Sequence, residues 1–212
     1  GTVEIDGTDI SRLPERRLGF LRERLQLVFQ DPLGSLDPRM KVRDIVAEPL
    51  VSQGKRDNLP RVLELLEAVG LQPEAADRYP HQFSGGQRQR ISIARALAPD
   101  PRILVADEPV SALDVSVRAQ VLNLLDELVE RLSLTLVFVS HDLSVIRHVC
   151  DSVAVMTRGE VVEVGATEQI YQDAEHAYTR ALVAAAPRLR TALAGRTAAD
   201  LAADTLAAKE SR

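Results

Sequence analysis

Residues 79–114 read YPHQFSGGQRQRISIARALAPDPRILVADEPVSALD, and they begin with a turn that leads into a helix. Gly85 and Gly86 stand at the start of a helical pattern that runs over residues 84–98. Such glycines leave backbone N–H groups accessible at the positive end of the helix, where a phosphate binds well. The sequence therefore predicts a phosphate-binding turn here.

The same stretch continues into a short strand that ends in two acids. Residues 103–106 are apolar without alternation, which is typical of a parallel strand buried on both faces. Asp107 and Glu108 follow directly, at the end of the strand where open α/β sheets bind their ligands. This position predicts a site for Mg²⁺ and a base that activates water.

Two further strands are predicted, one on each side of this stretch in the chain. Residues 117–132 carry the stripe of an amphipathic helix, and residues 134–139 then read as a second buried strand that leads to His141. Strand, helix and strand make a βαβ unit with a right-handed crossover. Upstream, residues 25–29 read as a strand that ends at Gln30. We therefore expect an α/β fold with a mostly parallel sheet core.

The rest of the pattern is mainly helical up to residue 98 and mixed after the last predicted parallel strand. Residues 42–98 are mainly helical, with apolar positions at a period close to 3.6. Residues 152–157 and 160–164 flank an Arg-Gly turn and predict a β-hairpin, which two short helical segments follow.

Composition argues against a dedicated nucleic-acid binder and is otherwise ordinary. Apolar residues make up 45% and charged residues 27%, as in ordinary soluble domains. Aromatic content of 3% and a net charge of -5 argue against a nucleic-acid binder. Arg88, Arg90 and Arg95 are spread round one helix and are therefore expected to face solvent or to make contacts within the helical subdomain. The single cysteine, Cys150, lies in an apolar helical pattern and reads as a buried structural thiol. We see no signal peptide and no run of ~18 apolar residues, so we expect a cytoplasmic protein.

Five motifs, in their order along the chain, resemble those of ATP-binding-cassette (ABC) ATPases. A single motif of this kind is a weak signal, but the fixed order is specific. The motifs are Gln30 of the Q-loop, residues 84–88 of the signature, residues 103–108 of the Walker B strand with its glutamate, residues 111–114 of the D-loop, and His141 of the H-loop.

Two other stretches resemble the ATPases of oligopeptide, dipeptide and nickel importers in particular. Residues 33–40 are similar to the Q-loop extension of those proteins, with Asp37 in place of the usual Asn. Residues 176–182 are similar to their His-Pro-Tyr-Thr-Arg stretch, with Ala177 in place of the proline.

The resemblance implies a role for each matching residue. Glu108 would orient or deprotonate the attacking water, His141 would bind the γ-phosphate, and Gln30 would contact both Mg²⁺ and the water. Asp107 would hold Mg²⁺. The nucleotide of a second subunit would be bound by the signature and D-loop residues Ser84, Gly85, Gly86, Gln87 and Asp114.

The resemblance also predicts the domain organisation. We expect an incomplete ABC-type P-loop NTPase fold over residues 1–190, with a helical subdomain inserted at residues 41–99 and a C-terminal hairpin and helical extension. An Ala-rich tail at residues 191–212 is expected to fray. No G-x-x-x-x-G-K-[ST] phosphate loop occurs in the sequence, because Pro49 and Arg56 occupy key positions around the Gly-Lys pair at residues 54–55. We therefore expect an amino-terminal segment with that loop to be missing.

The implied function is ATP binding and hydrolysis that powers import of peptides or a related small solute. The implied cofactors are ATP and Mg²⁺. The implied partners are a second ABC ATPase subunit, alike or different, a transmembrane permease and, indirectly, a substrate-binding protein; no nucleic acid is expected. The protein would then lie at the cytoplasmic face of the cell membrane, held there by the permease. Two alternatives stay open, namely a non-transport ABC protein of DNA repair or translation, and an inactive truncated cassette that acts as an interaction module.

Overall fold

The structure, a computed structural model, describes residues 1–55 and 58–185 of the chain. The described chain forms two units, of which the first spans Gly1–His141 and the second begins at Asp142. The predicted tail at residues 191–212 lies outside the described residues. The predicted domain limits of 1–190 and 41–99 stay predictions.

The first unit is built on short strands, most of them apolar. They are β1 (Glu4–Ile5), β2 (Thr8–Asp9), β3 (Leu25–Val28), β4 (Ile103–Asp107) and β5 (Thr135–Val139). β1 and β2 pair as an antiparallel ribbon, whereas the other three strands form a parallel sheet in the order β3-β4-β5. Parallel pairing of adjacent strands brings their carboxyl ends to one edge of the sheet, and this edge carries the predicted catalytic residues.

Helices supply the rest of the first unit. They are α1 (Gly19–Arg24), α2 (Pro32–Ser35), α3 (Val42–Ser52), α4 (Leu59–Ala68), α5 (Gly85–Leu97) and α6 (Val115–Leu132). Single 3-10 turns occur at Glu15–Arg17, Pro73–Asp77 and Pro80–Gln82. The predicted α/β fold class with a parallel sheet is confirmed, and the predicted helical stretch before residue 98 holds α3, α4 and α5.

The core of the first unit lies between the sheet and these helices. Side chains that point to one face of the sheet are fully buried, and they meet the apolar stripes of the helices. The main buried residues are Val28, Leu104 and Ala106 of the sheet, Ile45 and Val46 of α3, Leu65 and Leu66 of α4, Ile91, Ile93 and Leu97 of α5, and Val121, Leu125 and Leu128 of α6.

The prediction that residues 134–139 form a buried strand is wrong in part. β5 is an edge strand of the described sheet, and Val137 and Val139 are each 47% exposed. An apolar run without alternation predicts burial on both faces, but the packing of each face depends on neighbouring elements that the local pattern does not specify.

The second unit contains the predicted hairpin and short helices. Its elements are α7 (Leu143–Val149), β6 (Ser152–Thr157), β7 (Glu160–Ala166), α8 (Thr167–Gln172) and α9 (Ala177–Ala185). Arg158 and Gly159 have φ of 52° and 83°, as a two-residue hairpin turn requires. Cys150 follows α7 in an extended conformation and is only half-buried, so the expectation of a buried helical thiol is wrong.

Within residues 1–55 and 58–185, no helix combines the length and the apolar character that crossing a membrane requires.

Candidate active site

Three side chains from the carboxyl ends of adjacent strands meet at Glu108. The Nδ1 atom of His141 lies 2.8 Å from one carboxylate oxygen of Glu108, and the Nε2 atom of Gln30 donates to the other at 3.0 Å. Gln30 follows β3, Glu108 follows β4, and His141 follows β5. The structure therefore brings together the three predicted catalytic residues, which the sequence separates by up to 111 positions.

The hydrogen bonds of Glu108 define what its carboxylate can do. An ionised carboxylate only accepts hydrogen bonds, so Nδ1 of His141 carries the proton that it shares with Glu108. Each oxygen of Glu108 accepts one of these bonds and keeps a second lone pair. The Glu108 side chain is 24% exposed and that of His141 is 74% exposed. A water can thus reach the carboxylate and donate to it without displacing either neighbour.

The backbone of Glu108 has a conformation that non-glycine residues seldom adopt. Its φ is 44°, in the left-handed region. The N–H of Glu108 donates to the carbonyl of Val139 at 2.9 Å, at the end of β5. Its own carbonyl accepts from the N–H of Ser111 at 3.2 Å and from the Ser111 hydroxyl at 3.1 Å. These contacts hold a conformation that costs on the order of 1–3 kcal/mol.

Asp107 ends β4 on the same edge of the sheet and is exposed. Within the described residues, no group of three or more His, Cys, Asp or Glu stands in an arrangement that could hold a metal ion. Mg²⁺ in nucleotide sites takes one or two carboxylates and completes its shell with phosphate oxygens and water. The Asp107 carboxylate and the Gln30 amide are oxygen donors of the required kind, so the residues fit the cation.

The predicted phosphate-binding turn is a capped helix start. Ser84 is the N-cap of α5, and its hydroxyl accepts from the N–H of Gln87 at 3.3 Å. The Gln87 side chain accepts in return from the N–H of Ser84 at 3.0 Å. This capping box rigidifies the turn, and the N–H groups of Gly85 and Gly86 belong to the first turn, where a helix supplies no partner.

The signature turn packs directly against the D-loop segment, residues 111–114, and the start of α6. A Cβ atom at Gly85 would lie 3.6 Å from Leu113, in ordinary contact. A Cβ atom at Gly86 would lie 2.2 Å from Cγ1 of Val117, closer than any allowed contact. Asp114 is the N-cap of α6, and its carboxylate accepts from the N–H of Val117 at 3.0 Å. The two predicted nucleotide-binding motifs are thus neighbours, with Asp114 also serving as a helix cap.

The three arginines of α5 make contacts with backbone carbonyls of the first unit. Arg88 donates to the carbonyl of Phe83, Arg90 to that of Val69, and Arg95 to that of Ser35. Burial lowers the pKa of Arg95 below its ordinary value. The bonds of Arg88 and Arg90 lie within the predicted helical region, as expected, whereas Arg95 reaches Ser35, which lies outside that region.

Ser111 was not among the predicted site residues, although its hydroxyl contacts two of the groups in the cluster. Besides its bond to the Glu108 carbonyl, the Oγ atom lies 3.5 Å from Nε2 of Gln30, at the long end of the hydrogen-bonding range. Its position three residues after Glu108, in the turn that follows β4, is the one feature of the sequence that indicates a place near the site. The contact with Gln30, 81 positions away, has no local signal.

Comparison with known proteins identifies relatives among peptide transporters. The oligopeptide transport ATP-binding protein OppD of Mycobacterium tuberculosis is 52% identical over 190 residues, which are 89% of this chain and 31% of that protein. The dipeptide transport ATP-binding protein DppF of Haemophilus influenzae is 56% identical over 171 residues, which are 79% of this chain and 52% of that protein. The chain thus spans about a third to a half of the length of these two relatives.

A solved structure, described as the dimeric structure of MJ0796, a bacterial ABC transporter cassette, is similar to this fold. Its TM-score is 0.68 at 33% identity, and the match covers 79% of this chain and 73% of that one. The MJ0796 cassette has also been solved as a dimer in a post-hydrolysis state, bound to ADP and Pi, with the same degree of similarity.

The family model described as ABC transporter matches residues 1–111, which are just over half of the chain. Together with the order of the motifs and the parallel-sheet fold, this match shows that the chain belongs to the ABC transporter family.

Proposed function

We propose that the chain is part of an ATP-binding and ATP-hydrolysing subunit that powers import of peptides through a membrane permease. The observation that carries this proposal is the cluster of Gln30, Glu108 and His141 at one edge of a parallel sheet. The transport ATP-binding proteins to which the chain is similar support the peptide as substrate class.

Glu108 is the proposed general base. Its carboxylate is oriented from both sides by His141 and Gln30, and its remaining lone pairs can accept a proton from an attacking water. Phosphoryl transfer passes through a loose, anionic transition state, so positioning of the water accounts for most of what a protein can contribute. His141 lies at the end of β5, contacts the same carboxylate at 2.8 Å, and is the proposed γ-phosphate ligand.

Asp107 and Gln30 are the proposed residues that hold Mg²⁺. The cation, when bound, neutralises charge on the phosphate oxygens. Asp107 is suited to hold it through water, because its carboxylate is exposed and Mg²⁺ keeps much of its hydration shell.

The signature turn is proposed to bind the nucleotide of a second subunit. The first turn of α5 offers backbone N–H groups at the positive helix end, and the capping box holds Ser84 and Gln87 in fixed positions. The dimeric state of the MJ0796 cassette supports a second, similar subunit as the partner. Two ATP molecules would then lie between two such subunits, with Asp114 of the D-loop near the interface.

The other proposed partners are a transmembrane permease and, through it, a substrate-binding protein. A permease would hold the subunit at the cytoplasmic face of the membrane. Residues 31–48, which follow the Q-loop glutamine, are the proposed path by which movement at the active site reaches the permease.

Steady-state ATP hydrolysis by the natural full-length protein tests the enzymatic part of this proposal. We expect Mg-ATP turnover in the wild-type protein and a loss of about 10²–10⁴-fold in Glu108→Gln, since a positioned base contributes that much. Glu160→Gln, an exposed acid at the start of β7, is the matched control and is expected to keep the wild-type rate. A folded wild-type protein without turnover would instead favour the interaction module.

Peptide uptake tests the transport part. A strain in which the gene is deleted is complemented with wild type or Glu108→Gln, and uptake of radiolabelled di- and oligopeptides is compared with uptake of the free amino acid. We expect peptide uptake only with the wild-type gene and unchanged amino-acid uptake in both. An active ATPase whose deletion leaves uptake of peptides intact would point to a different solute or to a non-transport ABC protein.

A further inference from the structure

We propose that Ser111 is a positioning residue for the hydrolysis reaction, and that its hydroxyl sets the orientation of the Gln30 amide against Glu108. This inference rests on the proposed function. The Ser111 hydroxyl contacts the side chain of Gln30 and the backbone carbonyl of Glu108, and it would act through these two neighbours.

The Ser111 hydroxyl has one proton, and the structure assigns that proton to a backbone acceptor. The Oγ atom lies 3.1 Å from the carbonyl oxygen of Glu108, which can only accept. Towards Gln30, at 3.5 Å, the hydroxyl is therefore left with lone pairs. An oxygen that presents lone pairs attracts the NH₂ group of an amide and repels its carbonyl.

Both neighbours of the Gln30 amide consequently select the same orientation. Nε2 donates one proton to Glu108 at 3.0 Å and directs the other towards Ser111. The carbonyl oxygen of the same amide then faces away from the two acceptors and is available to a cation or a water. If the amide were turned by 180°, its oxygen would oppose a carboxylate oxygen, and Glu108 would be pushed out of its position.

The backbone of Glu108 does not depend on the hydroxyl alone. The N–H of residue 111 also donates to the Glu108 carbonyl at 3.2 Å, and any substitution at this position other than proline keeps that bond. The N–H of Glu108 is held independently by Val139 at 2.9 Å. Removal of the hydroxyl should thus take away one of the two acceptors that orient the Gln30 amide, while it leaves the left-handed turn in place.

The test compares four variants with the wild type, all in the natural full-length form. Ser111→Ala removes the hydroxyl, whereas Ser111→Thr and Ser111→Val have nearly the same shape and differ in the hydroxyl. Ser152→Ala, at an exposed serine that begins β6, is the control. We expect kcat for ATP hydrolysis to fall about tenfold in the Ala and Val variants, with KM within about twofold and an unchanged melting temperature. The Thr variant should recover most of the lost kcat.

A double-mutant cycle then asks whether Ser111 acts through Gln30. In the Gln30→Ala background, Ser111→Ala should cause less than about a twofold further loss, because no amide is left to orient. An equal tenfold loss in both backgrounds would overturn the proposal, and so would equal kcat values for the Thr and Val variants. A loss that follows the melting temperature would show a structural role only.

The side-chain NH₂ signal of Gln30 gives a readout that is independent of turnover. In the full-length protein with ¹⁵N label, its chemical shift should change in Ser111→Ala and Ser111→Val but return towards the wild-type value in Ser111→Thr. An unchanged signal in all variants overturns the proposal even if the protein is an active ATPase. Absence of ATP turnover in the wild type, with the predicted shift changes present, would overturn the proposed function instead.

Discussion

Gly86 is predicted to be required for the packing of α5 on α6, apart from any contact with a nucleotide. The Cβ atom of an alanine at this position would lie 2.2 Å from Cγ1 of Val117, about 1.3 Å short of the ~3.5 Å at which two carbon atoms meet. Val117 cannot move away easily, because a β-branched side chain in a helix has one strongly preferred rotamer. The helices must therefore separate, or Val117 must leave that rotamer.

Gly85→Ala is the matched control for Gly86→Ala. Its Cβ atom would lie 3.6 Å from Leu113, an ordinary contact, and both substitutions replace a glycine in the first turn of α5, so the entropic gain from losing a glycine is similar in the two variants. The difference between the two variants isolates the clash, which we expect to cost about 1–3 kcal/mol. For a domain of ~150–250 residues, each 1 kcal/mol corresponds to roughly 2–4 °C in the melting temperature.

Thermal unfolding of the full-length protein, followed by circular dichroism, measures this difference. We expect Gly86→Ala to melt about 2–12 °C below Gly85→Ala. Adding Val117→Ala should bring the Gly86→Ala protein back towards the stability of Val117→Ala alone, since the atom that causes the clash is gone. If Gly86→Ala and Gly85→Ala melt at the same temperature, or if Val117→Ala gives no recovery, the packing argument is wrong.

Three further predictions address the nucleotide site and the second unit. Glu108→Gln should leave ATP binding intact and accumulate a nucleotide-bound dimer on size-exclusion chromatography in Mg-ATP; a monomer that still hydrolyses ATP would contradict this. Ser84→Arg should prevent formation of a nucleotide-bound dimer while each monomer still binds nucleotide. A stable dimer would contradict the proposal that the signature turn binds the nucleotide of a second subunit. The hydrogen bonds from Arg147 hold the pKa of Glu168 below its ordinary 4.5. Their stabilising effect should be complete above about pH 4.5 and be lost as the pH falls through the lowered value. The protection of the α8 amides against hydrogen exchange, expressed relative to the intrinsic exchange rate at each pH, should therefore fall in acid in the wild type but not in Glu168→Gln. Equal protection in the two proteins at every pH would refute the argument.

Much of the fold could be predicted from local chemistry. The capping residues Ser84 and Asp114 mark the starts of α5 and α6, and the apolar run before Asp107 marks a strand. Parallel strands also share an edge, so Gln30, Glu108 and His141 could be expected near one another once three strand ends had been located. The exposed face of β5 could not be predicted, because burial depends on what packs there and the run of apolar residues is the same in either case.

The sequence by itself determined which residues stand at the strand ends and helix starts, since propensity, capping and hydrophobic period act within a few positions. Only the tertiary structure decided how those residues contact one another. The left-handed backbone of Glu108 is held by a bond to Val139, the Gln30 amide contacts both Glu108 and Ser111, and the close approach of α5 to α6 depends on the absence of a side chain at Gly86. Each is a contact between residues distant in sequence. Its geometry is set by how closely whole helices and strands pack together, and no pattern along the chain specifies that packing.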